Sequence, residues 1–244
     1  MTFGLYRGTV VNLVTYASSD MSRSQQICIA SALRHGAAKS WEYHDVAPAF
    51  REKNASIFSQ PRGAGYWLWK PYVVDHVLGQ IPDGELLVYV DSGVEVLEDL
   101  SPLVDLLSRD LLLFSSGYLH RQWCKGDVLR RFSLEWPACE MEGKEQVQAS
   151  VLLLRASAGS RDFVAKWLQI CQEPGMIDDS PSVTPNAPDF REHRHDQAIL
   201  SCLAHAHGLE LHWWPDATHR GIRNRYGDAY PVMFNRHRRR NWEW

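Results

Sequence analysis

Cysteine is scarce in this sequence, and its placement excludes two classes of small stapled domain. The 244 residues contain five cysteines, which are widely spaced, odd in number and without a CxxC pair. Disulfide frameworks and zinc fingers are therefore not expected. The cysteines are predicted to be reduced thiols of a cytoplasmic protein.

Long apolar runs and a basic excess are also missing. No run approaches the roughly 20 apolar residues of a membrane-spanning helix, and the first sixteen residues lack the apolar core of a signal peptide. The formal net charge of −3 argues against a nucleic-acid binder. We expect one globular domain over residues 1–244 with a basic tail at 235–244. Any membrane contact is expected to be peripheral, at the inner membrane face through that tail.

Apolar segments with strand character alternate with segments of helical spacing along the chain. Strands are predicted over residues 9–16, 40–44, 85–90, 111–114, 149–154 and 209–214. Helices are predicted over residues 22–35, 71–78, 159–172 and 196–207, with a further helix opening at 101. Residues 48–65 and 173–190 are predicted loops. Because strands alternate with helices, we predict a three-layer, Rossmann-like α/β domain with a mostly parallel central sheet.

Asp91 stands where the most apolar predicted strand ends. Ligands of open α/β sheets bind beyond the carboxyl ends of the strands, and the small residues Ser92 and Gly93 let a ligand approach the backbone. A carboxylate at this place suits Mg²⁺ or Mn²⁺ bridging two phosphates. The alternative is an aspartate that only caps the turn after the strand.

Three motifs occur in an order that covers most of the chain. Residues 89–93 (YVDSG) with 99–103 (DLSPL), 148–155 (QASVLLLR) and 196–201 (DQAILS) resemble the GT-A glycosyltransferases. The closest resemblance is to the nucleotide-diphospho-sugar transferase families of bacterial polysaccharide synthesis. Two positions depart from the family pattern. Gly93 replaces the second carboxylate of the DxD metal motif, and Gln148 with Ser150 replaces an asparagine-glycine pair.

The resemblance implies a GT-A-like fold and an enzyme that moves a sugar from a nucleoside-diphosphate sugar to a hydroxyl acceptor. The acceptor it implies is a glycan or glycolipid of surface polysaccharide synthesis. It further implies that Asp91, Ser92 and Gly93 bind the donor, and that Gln148 and Asp196 are catalytic residues that orient the donor sugar. Asp91 would hold the divalent metal, Mn²⁺ or Mg²⁺. The alternative for Asp196 is a helix N-cap.

Basic residues supply candidates for phosphate binding. Arg62 and Lys70 precede the predicted 71–78 helix and are expected to reach the nucleotide or its phosphates. Near the C-terminus, Arg236, Arg238 and Arg239 are expected to bind the diphosphate, because arginine holds phosphate oxygens bidentately. His237 would complete the metal shell that lacks its second aspartate. The alternatives are a tail that serves solubility or contacts anionic lipid.

Two other functions compete with sugar transfer. A metal-dependent phosphohydrolase would use His193, His195 and Asp196, and a non-catalytic nucleotide-sugar-binding module would explain the incomplete DxD motif. His193 and His195 are otherwise expected to be surface or capping residues. Trp123 and Lys125 are further candidates, for contact with the acceptor.

Overall fold

The computed structural model describes residues 9–107, 109–139, 141–216 and 232–237. Its strands are β1 (Val11–Tyr16), β2 (Lys39–Tyr43), β3 (Leu86–Val90), β4 (Val94–Val96), β5 (Leu111–Leu119), β6 (Glu145–Val147), β7 (Val151–Arg155), β8 (Leu211–Trp213) and β9 (Phe234–Arg236). Seven of them form the central sheet in the order β2-β1-β3-β7-β5-β6, with β8 paired to β5. Strands β4 and β9 form a separate two-stranded sheet.

Most strands of the central sheet point the same way. Strand β1 pairs parallel with β2 and with β3, and β5 pairs parallel with β8. Strand β7 lies antiparallel between β3 and β5, and β6 is antiparallel to β5. Five strands therefore run in one direction and two in the other, which confirms the predicted mostly parallel sheet.

Helices cover both faces of this sheet. They are α1 (Ser22–Arg34), α2 (Pro48–Lys53), α3 (Ala55–Phe58), α4 (Gly63–Tyr66), α5 (Trp69–Leu78), α6 (Ser101–Asp105), α7 (Gly126–Glu135), α8 (Ala158–Cys171) and α9 (His195–Ala206), with 3₁₀ turns at Ser19–Met21 and His120–Gln122. Strand β3 shows the layering: Leu87 and Tyr89 join the apolar cluster of α5, α8 and α9, while Leu86 and Val88 join that of α1 and α6. The predicted three-layer α/β fold is confirmed.

Several elements differ from the sequence-based expectation. Residues 48–65 were predicted to be a loop and instead contain α2, α3 and most of α4. Helix α5 begins at Trp69, two residues before the predicted start, and α7 and β6 were not predicted. Strand β6 has only three residues, too few for a periodicity to register. Among the described residues, no helix has the length and apolar character needed to cross a bilayer.

Candidate active site at the carboxyl edge of the sheet

Two adjoining cavities open where β1 and β3 end. The larger has a volume of about 710 Å³ and the smaller about 390 Å³. Both values lie in the range of small-molecule sites. The cavities share five lining residues: Trp67, Asp91, Ser150, Arg194 and Arg236. A ligand with two parts can therefore extend from one cavity into the other past Asp91.

Lys70 joins the two carboxylates of this region. Its Nζ lies 3.2 Å from Asp91 Oδ1 and 3.6 Å from Asp196 Oδ2, and it donates a hydrogen bond of 3.0 Å to the carbonyl of Ala149. The side chains of Lys70 and Asp196 are 5% and 4% exposed, whereas that of Asp91 is 33% exposed. Asp91 is therefore the most exposed of the three, while Lys70 and Asp196 line the smaller cavity with little exposed surface.

The burial of this triad shifts its proton equilibria. Burial, together with the negative charge of Asp91, raises the pKa of Asp196 to about 6, although Lys70 opposes the shift. Burial alone would lower the pKa of Lys70, but the carboxylates of Asp196 and Asp91 outweigh it and the pKa is raised. Lys70 is thus a fixed cation near neutral pH, while Asp196 exchanges a proton close to it.

Backbone and side-chain contacts fix Asp91. Its N–H donates to the carbonyl of Ser150 over 2.8 Å, and the hydroxyl of Tyr89 donates to Oδ1 of its carboxylate. Tyr89 is fully buried, and burial followed by the charge of Asp91 raises its pKa well above the usual value. The tyrosine therefore keeps its proton and acts as a permanent donor to Asp91.

The chain returns to this place near its C-terminus. Strand β9 pairs antiparallel with β4, with Arg236 opposite Val94, and the N–H of His237 donates to the carbonyl of Gly93 over 3.0 Å. The structure thus brings Arg236 and His237 beside the Asp91-Ser92-Gly93 segment. Arg238 and Arg239 lie outside the described residues.

The predicted sugar-orienting residues lie at the smaller cavity. Gln148 and Asp196 both line it, and the hydroxyl of Ser150 donates to Gln148 Oε1 over 3.2 Å. Asp196 lies in the first turn of α9, where Arg194 is the N-cap residue and no side chain makes the cap. The N-cap alternative for Asp196 is therefore wrong: its carboxylate contacts Lys70 instead.

The basic residues differ in what they offer a ligand. Arg62 lines the smaller cavity, but its guanidinium pairs with Asp179 at 3.3 Å and Glu192 at 3.0 Å. Lys125 is buried against Asp178 at 3.0 Å, so it is not a candidate for acceptor contact. Arg194 was missed by sequence reasoning because it belongs to none of the three motifs. It lines both cavities; its guanidinium lies 4.6 Å from the ring centroid of Trp123 and pairs with Glu192 at 2.7 Å.

The histidine pair at the start of α9, His193 and His195, is structural. Both side chains are buried rather than on the surface. His193 Nε2–H donates to the carbonyl of Met176 over 2.8 Å, and His195 Nδ1–H donates to that of Ile177 over 2.7 Å. Burial, followed by the charge of His195, lowers the pKa of His193 to about 3. His193 Nδ1 also accepts the backbone N–H of Lys125 over 3.4 Å, so this ring has no nitrogen left for a metal and the pair does not favour a phosphohydrolase site.

A left-handed turn forms one wall of both cavities. Five consecutive residues have positive φ: Gly63 (58°), Ala64 (51°), Gly65 (94°), Tyr66 (51°) and Trp67 (61°). The left-handed helical conformation costs roughly 1–2 kcal/mol for each non-glycine residue. The ring of Tyr66 stacks on His195 at 4.9 Å, and Trp69 Nε1 donates to the carbonyl of Gly63 over 2.9 Å. These contacts hold a strained wall in place beside the site.

Solved structures to which the chain is similar include several glycosyltransferases. They include the bifunctional glycosyltransferase WbbM (TM-score 0.49, 12% identity, 87% of this chain and 40% of that one). Mouse xyloside xylosyltransferase 1 follows at a TM-score of 0.47 and 13% identity, covering 93% of this chain and 96% of that one. The galactosyltransferase LgtC, solved with donor and acceptor sugar analogues, has a TM-score of 0.48 and 16% identity, covering 93% and 86%.

No protein-family model matches the chain, and no curated protein matches its sequence. The chain spans only 40% of the length of WbbM.

Proposed function

We propose that the chain is a glycosyltransferase that moves a sugar from a nucleoside-diphosphate sugar to a hydroxyl acceptor. One observation carries the proposal: the pair of carboxylates bridged by Lys70 lies in the same cavity system as Arg194 and Arg236. Cations suit a diphosphate, whose negative charge grows as the glycosidic bond breaks. Carboxylates suit the hydroxyl groups of a sugar, because an ionised carboxylate accepts hydrogen bonds at both oxygens.

The roles divide between the two cavities. In this proposal the larger cavity holds the nucleotide, and Arg236 with Ser92 and Gly93 contacts the diphosphate. The donor sugar lies past Asp91, where Gln148 and Asp196 orient it. The hydroxyl acceptor enters through the smaller cavity, beside Tyr118 and Trp123, which both line it. We expect a glycan or glycolipid of surface polysaccharide synthesis as acceptor, with the predicted cytoplasmic location and peripheral membrane contact.

The donor atoms near Asp91 fit a divalent metal. Asp91 offers a partly exposed carboxylate, and the backbone N–H of His237 donates to the carbonyl of Gly93, which supports assigning the imidazole of His237 to the same ion. One oxygen ligand and one nitrogen ligand leave most coordination positions for phosphate oxygens and water, as Mg²⁺ and Mn²⁺ commonly require. When bound, such an ion would neutralise charge on the diphosphate. Asp91 and His237 would hold it, while Lys70 keeps the Asp91 carboxylate oriented.

Thermal shift with a panel of UDP-, GDP-, CDP- and TDP-sugars, each with and without Mn²⁺, tests the proposal. One donor should stabilise the parent by about 2.7 kcal/mol at a hundredfold excess over its Kd. Asp91→Asn removes the charge at nearly constant size, so it should abolish the Mn²⁺-dependent part of the shift. Asp83→Asn is the matched control, because Asp83 precedes β3 at the opposite edge of the sheet. An Asp91→Asn protein that responds like the parent would overturn the assignment of Asp91.

A turnover measurement separates an enzyme from a binding module. Release of free nucleoside diphosphate in the presence of the stabilising donor and a glycan acceptor is expected from an enzyme. Donor binding without release of nucleoside diphosphate from the donor, whether to a glycan acceptor or to water, would favour the non-catalytic module.

A further inference from the structure

Three metal-ligating side chains meet in the interior, away from the cavities. His120, Cys124 and Cys202 are each fully buried. Nε2 of His120 lies 3.1 Å from Sγ of Cys202, and the two sulfur atoms are 3.9 Å apart. One ligand atom of each residue lies within 4.8 Å of the others. None of the three takes part in the proposed sugar transfer.

Local structure explains why they converge. The 3₁₀ turn His120–Gln122 follows β5, so His120 and Cys124 come close together just before α7 begins. Cys202 projects from α9, 78 residues further along the chain than Cys124. The sequence contains no CxxC pair, and only the packing of α9 against this turn completes the set.

The distances suit a metal better than a disulfide. A disulfide requires about 2.05 Å between the sulfur atoms. Two thiolates on one tetrahedral Zn²⁺ lie about 3.8 Å apart, because each Zn–S bond is about 2.3 Å long. The observed separation of 3.9 Å agrees with the second arrangement.

Charge balance agrees with a divalent ion. Nε2 is the nitrogen of His120 that faces the sulfur of Cys202, so it is the ligand atom that this ring offers. As metal ligands, two thiolates and a neutral imidazole carry two negative charges, which a divalent ion cancels in the buried interior.

We propose that His120, Cys124 and Cys202 form a Zn²⁺ site of the Cys₂His type. Zinc binds thiolate and imidazole ligands, and a softer monovalent ion would leave the buried cluster with net negative charge. The ion would join the β5–α7 connection to the middle of α9. Since α9 begins beside Asp196 and the connection carries Trp123, the site would brace two walls of the smaller cavity.

Metal analysis of the purified full-length chain tests the proposal directly. We expect one zinc per chain that survives dialysis against a weak chelator, and loss of that zinc in Cys202→Ser. Cys171→Ser is the matched control, because Cys171 is equally buried but lies outside the cluster. It should keep the ion. Since Asp91 and His237 are unchanged in both variants, the comparison does not depend on any ion held there.

Cobalt substitution provides a readout that needs no variant. Parent protein refolded with Co²⁺ alone should show thiolate-to-cobalt charge-transfer absorption in the near ultraviolet, and one equivalent of Zn²⁺ should remove it. Two results would overturn the proposal. One is a Cys124–Cys202 disulfide in peptides prepared without reductant. The other is a folded parent with both thiols free, no bound zinc and no charge-transfer band.

Discussion

Replacing Lys70 with methionine should destabilise the protein in a way that depends on pH. Breaking a buried ion pair by removing one partner costs about 3–5 kcal/mol. Here the cost should grow as pH rises above about 6, where Asp196 of the parent protein is ionised. At about pH 4.5 Asp196 carries a proton in parent and variant alike, so only the contact with Asp91 and the packing of the side chain are lost.

The sign follows from linkage. When folding raises the pKa of a carboxyl group, the free energy of unfolding of the protein falls as pH rises from the unfolded pKa to the folded pKa of that group. Lys70 restrains that loss in the parent, because it lowers the pKa of Asp196. Without the ammonium the pKa of Asp196 rises further. Each additional unit adds about 1.4 kcal/mol of destabilisation at alkaline pH.

Urea unfolding followed by tryptophan fluorescence, at about pH 4.5 and about pH 8, measures the difference between parent and variant. Lys125→Met is the matched control, since Lys125 is also buried and its Nζ lies 3.0 Å from Asp178. Although burial opposes the shift, hydrogen bonds from Ser180 and Lys125 lower the pKa of Asp178. The Lys125→Met variant should therefore be destabilised by a similar amount at both pH values. An equal loss at both pH values for Lys70→Met would refute the description of the triad.

Three further outcomes are expected. Ala64→Gly should stabilise the protein by up to about 1 kcal/mol, because glycine tolerates positive φ. Gly63→Ala should destabilise it, since a Cβ there would lie 2.3 Å from the Trp67 ring. Urea unfolding compares the two variants, and the reverse order of stability would contradict the left-handed turn. Arg236→Ala should weaken the affinity for the free nucleoside diphosphate at least tenfold, since a charge-assisted hydrogen bond contributes about 1.5–3 kcal/mol. Calorimetry measures this affinity, and a value like that of the parent would exclude the diphosphate role of Arg236. Turnover should fall as pH drops through about 6, where Asp196 gains a proton, and Asp196→Asn should lose this acid limb along with most activity; a limb that persists in the variant belongs to another group.

Sequence reasoning located the elements whose signal is local. Strand β3 is a run of apolar residues that ends at a polar turn, so the sequence predicts both its extent and the position of Asp91 at its end. The same reasoning could not find the role of Lys70, because that depends on how α5 lies against β3 and α9. It expected a phosphate ligand, and the structure places the ammonium between two carboxylates.

Features built from distant segments were missed for the same reason. Arg194 carries no motif, and its position at both cavities depends on the path of the loop before α9. The spacing of the cysteines argued against zinc fingers, but spacing detects only ligands that are neighbours along the chain. Cys124 and Cys202 are neighbours only after folding.

The pairing of β4 with β9 gives the site an order of assembly during synthesis. Strand β4 follows Asp91 directly, yet its partner lies 138 residues later, from Val96 to Phe234. A nascent chain can pair β1 with β3 long before Arg236 leaves the ribosome, and Asp196 completes the Lys70 triad 40 residues ahead of Arg236. Closing so long a loop is entropically costly and occurs late. In the proposed enzyme, the diphosphate pocket would therefore be completed after the sugar-orienting part of the site.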